Sequence, residues 1–384
     1  MTHTANIKIS SYRNIDQIDQ AQWDKLTGGN PLASSGWLQT VELTFNGLLR
    51  PLYVRAESNT GHLLGTAVCY VADKGPVVGD FDHMVLGRLK KPMHGIGLSF
   101  MPLLICCPLY AYGRHILLSS AVESGRERHV IAAILDHIEH EAKSRGLSLA
   151  FTNITSDERI LMNELEARQY IYAYDLPHSC LDIAWETFDG YLLDLNKRGK
   201  HIRKNVKKEM NRLRRKGVEI QSITDPAATA NRLIELLNLN SQRHNGLPFM
   251  FSQDFFIALK DHMGAKATIY GAFRGQELNG VCIQLNSHKE GHVTFVGVDH
   301  HAAGNDHSYF NLFFYEPINR AIKLGQRRLY FDRLMYTAKR RRGCRFIDTC
   351  IFYKPHKKNR KLFVKFWFAI LTLWNRRIGP VAEE

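Results

Sequence analysis

Acidic residues are few relative to basic ones in this chain, paired cysteines are missing, and long apolar runs are absent. The 384 residues carry 51 lysines and arginines against 37 aspartates and glutamates, a formal charge of +14 with a pI near 9.4. A surplus of that size calls for an anionic partner: nucleic acid, an anionic lipid surface or a phosphorylated small molecule. The cysteines are odd in number, seven, at Cys69, Cys106, Cys107, Cys180, Cys282, Cys344 and Cys350. None forms a C-x-x-C pair, and several sit in apolar, strand-like runs. A disulfide framework and a structural zinc site are therefore both poorly supported, and a reducing, cytosolic compartment follows. The opening residues MTHTANIKISSYRN lack the apolar core of a secretory signal. No uninterrupted apolar run approaches the length that spans a bilayer. Disorder is excluded as well, because 45% of the residues are hydrophobic.

What is present reads as alternating strands and helices. The length suggests two domains, or three small ones. In the first half, IKISSY (7–12), the hairpin 51–72, LLICCPL (103–109), HILLSS (115–120), LSLAFTNI (147–154) and IYAYDLPHSCLDI (171–183) read as strands. Helices are expected near 21–26, over the face Trp37, Leu38, Val41 and Phe45, over 126–145, and over 158–169. Residues 73–102 resist assignment, and Asp80, Asp82 and His83 there fit a solvated turn better than a metal or general-base site. In the second half a helix near 227–239, a loop at 241–249 and a helix capped by Ser252 precede the hairpin 268–287 and the strand 293–299. AKSRGLSLAF (142–151) lines up with AIKLGQRRLYF (321–331), and the two hairpins also correspond, so the halves echo one architecture.

Two segments are strongly basic. From Lys197 to Lys216 the only acid is Glu209, while Ile202, Val206, Met210 and Leu213 make one narrow apolar stripe. This is a helix resting on the protein by that stripe, its cationic face turned outward towards an anion. The tail KPHKKNRKLFVKFWFAILTLWNRR (354–377) joins a polybasic run to an aromatic-aliphatic one. It fits either an amphipathic helix packed on the second domain or a helix in a membrane interface, with Phe366, Trp367, Phe368 and Trp374 inserted.

The stretch Gly297–Gly343 organises the rest. A loop rich in Gly, Asn, Asp and His follows a strand, and Ser308 or Asp306 is placed to cap a helix with Phe310, Phe314, Ile318, Ala321 and Ile322 on one face. Pro317 should kink it. Gly325 ends the helix, LYF (329–331) is a buried strand, and Tyr336 and Lys339 follow. Amides at a helix start favour an anion, and a cation beyond the next strand can balance developing negative charge.

The motifs SYFNLFFYEPI (308–318), AIKLG (321–325), RLYFD (328–332) and YTAKRRRG (336–343), in that order and spacing, resemble the Fem-like branch of the GNAT acyltransferase superfamily. The resemblance implies an α/β fold with mixed sheets and two tandem GNAT-like domains, 1–186 and 187–355, the second carrying the donor site, with 356–384 as a tail. It implies an acyltransferase without a permanently bound cofactor, acting on a small amine acceptor. The donor would be a thioester, acyl-CoA or an acyl carrier protein, or else aminoacyl-tRNA. A non-catalytic module bound to membrane or RNA is a further possibility. DHHAAGNDHS (299–308) keeps only Gly304 of the GNAT pyrophosphate loop, which weakens a coenzyme A assignment, while the short Asp332–Lys339 interval favours acetyltransferase-like members. By the resemblance Lys339, Tyr336 and Asp332 are catalytic candidates, with His300 and His301 as alternative bases. Gly304, Asn305, Ser308, Tyr309, Asn311, Arg203 and Lys207 are expected to bind the donor. The expected site of action is the cytoplasm, either free in it or peripheral on the inner face of the membrane.

Overall fold

A computed structural model describes residues 7–72, 80–246 and 251–380. By contacts these divide into two units, one drawn from Met1–Gly28, Leu32–Pro177 and Ile347–Glu384, the other from Gly29–Pro31 and His178–Phe346. The division falls at Pro177/His178, ahead of the expected boundary at 186, and the tail counts with the first unit.

In the first unit β1 (Lys8–Tyr12) pairs antiparallel with β2 (Arg50–Glu57), and β2 with β3 (Leu63–Ala72). Helix α1 (Gln20–Leu26) starts where the Asp19 carboxylate accepts from the Gln22 amide. In α2 (Ser35–Thr44) Trp37, Leu38 and Val41 are buried, the face that a period of 3.6 marks out. The segment that resisted assignment contains α3 (Phe81–Leu86) and α4 (Lys90–Gly95). Asp80 caps α3 through the His83 amide and pairs with Lys90, while buried Asp82 accepts from the Phe100 amide (2.7 Å) and Ser99 Oγ (2.6 Å). These carboxylates hold the segment together and are not solvated. Residues 73–79, like 247–249 of the expected loop, lie outside the described residues.

β4 (Leu103–Cys106) is antiparallel to β3, and β5 (Ile116–Leu118) also pairs with β3. The long helix α5 (Glu127–Ser144) buries Val130, Ile131, Ile134, Leu135 and Ile138 against the sheet. It leads into β6 (Ser148–Thr155), which is parallel to β4. After α6 (Arg159–Ala167), β7 (Ile171–Asp182) carries the chain from one unit to the other.

The second unit begins with α7 (Phe188–Asp194) and the basic helix α8 (Lys200–Arg215). Ile202, Val206, Met210 and Leu213 of α8 join the core, as their spacing requires. β8 (Val218–Ser222) is followed by α9 (Ala230–Asn245), which covers most of the expected loop, and by α10 (Gln253–Ala258). Ser252 stands at the start of α10 but its hydroxyl makes no capping bond. β9 (Ala267–Arg274) and β10 (Glu277–Asn286) form a hairpin, with β8 antiparallel to β9 and β11 (Glu290–Val298) antiparallel to β10.

A short helix α11 (His300–Ala303) precedes α12 (Ser308–Phe310), a wide π turn (Asn311–Tyr315) and α13 (Glu316–Lys323). Pro317, in the first turn of α13, has no amide to donate back into the preceding turn. The wider turn just before it accommodates that missing donor. β12 (Arg328–Phe331) is parallel to β11 and antiparallel to Ser179–Asp182 of β7. Each unit therefore repeats one order: hairpin, antiparallel third strand, helix, and a fourth strand parallel to the third. This is the echo expected from the sequence, in mixed α/β sheets.

Helix α14 (Tyr336–Arg341) ends the second unit. The chain then forms β13 (Arg345–Lys354), antiparallel to β6 and not anticipated from the sequence, and α15 (Lys361–Ile378). Val364 and Phe368 of α15 pack with Phe81, Phe100 and Tyr353. The tail helix thus rests on the first unit; an expected packing on the second domain is corrected. All seven cysteines are buried and unbridged.

Candidate active site where two parallel strands part

β11 and β12 keep parallel register only from Glu290↔Arg328 to Val293↔Phe331. β11 continues to Val298 while β12 stops, so the strands part there. The loop Asp299–His307 and the start of α12 follow β11, and the turn Asp332–Met335 follows β12.

Carboxylates organise the loop. Asp299 Oδ1 accepts from the amides of His301 (3.1 Å) and Ala302 (3.0 Å), and its other oxygen accepts from Arg232. Hydrogen bonding, first from the Ala302 amide, lowers the pKa of Asp299 against the opposing effect of burial. Buried Asp306 accepts from the Ser308 amide (2.8 Å) and from Arg274, which also donates to the carbonyls of Ala302 and Ala303. Asp306, and not Ser308, therefore supplies the bond at this helix start. The Ser308 hydroxyl is buried without a hydrogen-bond partner among the described residues. Gly304 has φ 59° and ψ −138°, a conformation a side chain would strain. Asn305, His300 and His301 lie at the surface. Asn311 is buried, its amide donating to His307 O at 2.9 Å.

On the other side of the parting, Leu334 and Met335 both adopt left-handed backbone before α14. Lys339 is 1% exposed, and its ammonium donates to the carbonyls of Asp332 and Arg333 and lies 5.8 Å from the centre of the Phe313 ring. Burial pushes its pKa down to about 8, against the attraction of Asp332. The basic run Lys339–Arg342 is therefore not a uniform solvated surface. Lys339 and Arg342, three apart on a helix, turn inward, while Arg341 is exposed. Asp332 itself is exposed and accepts from the Arg333 amide. Tyr309 Oη donates to Met335 Sδ at 3.2 Å, which links the helix start to the turn holding Lys339. Tyr336 is buried edge-on against Phe346.

The structure thus gathers Lys339, the Asp332 turn, Tyr309 and Phe313. Arg203 and Lys207 lie elsewhere, with Lys204, Lys208, Arg214 and Arg215 on one shallow, open face of α8. The inner side of α8 is pinned by its single acid: Glu209 accepts from Arg342 (2.8 Å) and from the Tyr315 hydroxyl. The Arg342 guanidinium also lies over the rings of Phe310 and Phe314, at 4.5 and 4.6 Å. The sequence motifs do not mark this pair, although a lone acid in a basic helix is the available signal. Nor do they mark His178 and His292, which stack on either side of Tyr330. Burial, aided by the neighbouring His292 ring and by the charges of Arg333 and Lys339, holds His178 well below the usual histidine pKa. Both histidines sit in strands, where the pattern showed only alternation.

Among curated proteins none matches this chain. Solved structures match over nearly its full length. FemX superposes with a TM-score of 0.58 at 10% identity, covering 92% of this chain and 99% of its own. A domain named as that of a lysylphosphatidylglycerol synthetase from Agrobacterium fabrum gives 0.55 at 9% identity, over 93% and 98% of the two chains. A tandem GNAT protein from the clavulanic acid biosynthesis pathway gives 0.52 at 12% identity, over 92% and 99%. These likenesses establish the tandem GNAT fold. Residues 14–333 match the FemAB-like family, described as peptidoglycan biosynthesis/recognition. With that match covering most of its length, the chain belongs to the FemAB-like family, and it has the GNAT fold.

Proposed function

We infer that this protein transfers an aminoacyl group from a charged tRNA to a small amine acceptor. The observation that carries this reading is the cationic face of α8, made by Arg203, Lys204, Lys207, Lys208, Arg214 and Arg215. Six cations spread along one helix face suit a phosphate backbone better than a single small anion. The loop after β11 supports the same choice. Amides there already serve Asp299 and Asp306, and two carboxylates oppose a coenzyme A pyrophosphate. In the transfer the acceptor nitrogen attacks the ester carbon, an amide forms, and the ribose oxygen leaves carrying a proton. The Lys339 ammonium, already aimed at carbonyl oxygens, would stabilise the oxyanion in between. Tyr309 and Asp332 would flank the donor carbonyl, Tyr336 would set the position of α14, and Gly304, Asn305, Ser308 and Asn311 would shape the loop beside it.

A thioester donor is the second reading, supported by the parting of β11 and β12, where an extended acyl-carrying arm can pair with free backbone edge. Thermal melts with aminoacylated tRNA, uncharged tRNA, acetyl-CoA and longer acyl-CoAs separate the two, since a ligand bound only by the folded chain raises Tm. Stabilisation by charged tRNA above uncharged tRNA is expected. Stabilisation by acyl-CoA alone supports the thioester, and stabilisation by neither donor leaves a binding module.

A further inference from the structure

Helix α15 has two apolar faces, and the protein uses one. Val364 and Phe368 are buried, and Trp367 donates its ring N–H to Val85 O at 2.9 Å. On the other side Leu362, Phe366, Leu373 and Trp374 are 79%, 65%, 70% and 60% exposed, with Ile370 beside them. At about 100° per residue these five fall within an arc of about 120°, opposite the packed face. A surface stripe of this kind normally marks an interaction site.

The charges around it indicate what it meets. From Lys354 to Ile378 there are eight lysines and arginines and no acid. Lys357 and Lys358 stand exposed just before the helix, Lys365 along its flank, and Arg377 at its end. Among the described residues none of these four has an ion-pair partner, whereas Arg360 is already committed to Ser99 O. No helix among the described residues is long and apolar enough to cross a membrane. An apolar stripe with a tryptophan, bordered by uncommitted cations, fits an interface where acyl chains lie beneath anionic headgroups.

We propose that the outer face of α15 docks this protein on an anionic lipid surface, with Leu362, Phe366, Ile370, Leu373 and Trp374 entering the headgroup–acyl boundary and Lys357, Lys358, Lys365 and Arg377 contacting the headgroups. The first five provide depth and the last four provide selectivity for anionic lipid. This surface is independent of the transfer chemistry.

The test is flotation of the full chain with vesicles of phosphatidylcholine alone and with vesicles in which phosphatidylglycerol supplies anionic headgroups. The parent should bind the anionic vesicles at least about tenfold more strongly, and more weakly as salt rises. Leu362→Ser/Phe366→Ser/Leu373→Ser/Trp374→Ser should lose that binding, with an unchanged far-ultraviolet spectrum. Lys357→Ala/Lys358→Ala/Lys365→Ala/Arg377→Ala should lose the preference for phosphatidylglycerol. A readout free of folding effects comes from brominated lipids, which should quench parent fluorescence more than that of Trp374→Phe. Equal, weak binding of the parent to both vesicle types overturns the proposal, as does binding by the serine variant at parental strength. A parental dimer that the serine variant dissolves and vesicles do not would assign the face to a second copy instead.

Discussion

Replacing Lys339 by methionine tests two properties of one side chain. The ammonium is buried with its pKa pushed down to about 8, while an unfolded-chain lysine titrates near 10.4. Between those values the unfolded state binds more protons than the folded one, so stability rises with pH. Below pH 8 both states are protonated and the full cost is present, about 3 kcal/mol for a shift of roughly 2.4 units. About 2 kcal/mol of it is relieved between pH 7 and pH 9.5. Urea unfolding of the parent and Lys339→Met at both pH values isolates this term, because other titrations cancel in the difference. The parent should gain about 2 kcal/mol on the variant. In the same pair, transfer should fall by about a hundredfold or more, the usual cost of one oxyanion donor. Exposed Arg341→Met should change little. A pH-independent stability difference would refute the burial of a charged lysine. Turnover within a fewfold of the parent for both variants would place the active site elsewhere.

Further outcomes follow from the same geometry. Arg203→Glu/Lys204→Glu/Lys207→Glu/Lys208→Glu should weaken tRNA binding strongly at low salt and less at high salt, read by filter retention; a salt-independent loss would indicate a packing defect. Glu209→Ala strands the Arg342 guanidinium against Phe310 and Phe314 and should cost about 3 kcal/mol in urea unfolding. His178 is held neutral in the fold, so the unfolded chain takes up its proton first and stability should drop as pH falls below about 6.5. His178→Phe should flatten that part of the pH–stability curve.

Much of the fold was legible because burial imposes a period. The α8 stripe Ile202, Val206, Met210 and Leu213 and the helix face from Val130 to Ile138 were visible for that reason. Strand β13 was hidden because RFIDTC opens with charge and its apolar part abuts the polybasic tail. Residues 80–100 were unreadable because buried carboxylates hold them, and Asp82 looks the same in sequence whether solvated or satisfied. At the site, motif order pointed to Lys339 but not to its burial, since four consecutive cations suggest solvent and only the helical turn separates inner from outer. The composition of the loop after β11 suggests an anion cradle. Asp299 and Asp306, rather than a ligand, take several of its amides.

The donor is the central claim, and single-turnover transfer tests it most directly. Purified protein is mixed with tRNA charged with labelled amino acid, in parallel with labelled acetyl-CoA, and a pool of small primary amines. The account predicts label moving from the tRNA ester into acid-stable amide, with the Lys339→Met variant slowed by about a hundredfold. Label moving only from acetyl-CoA would contradict it.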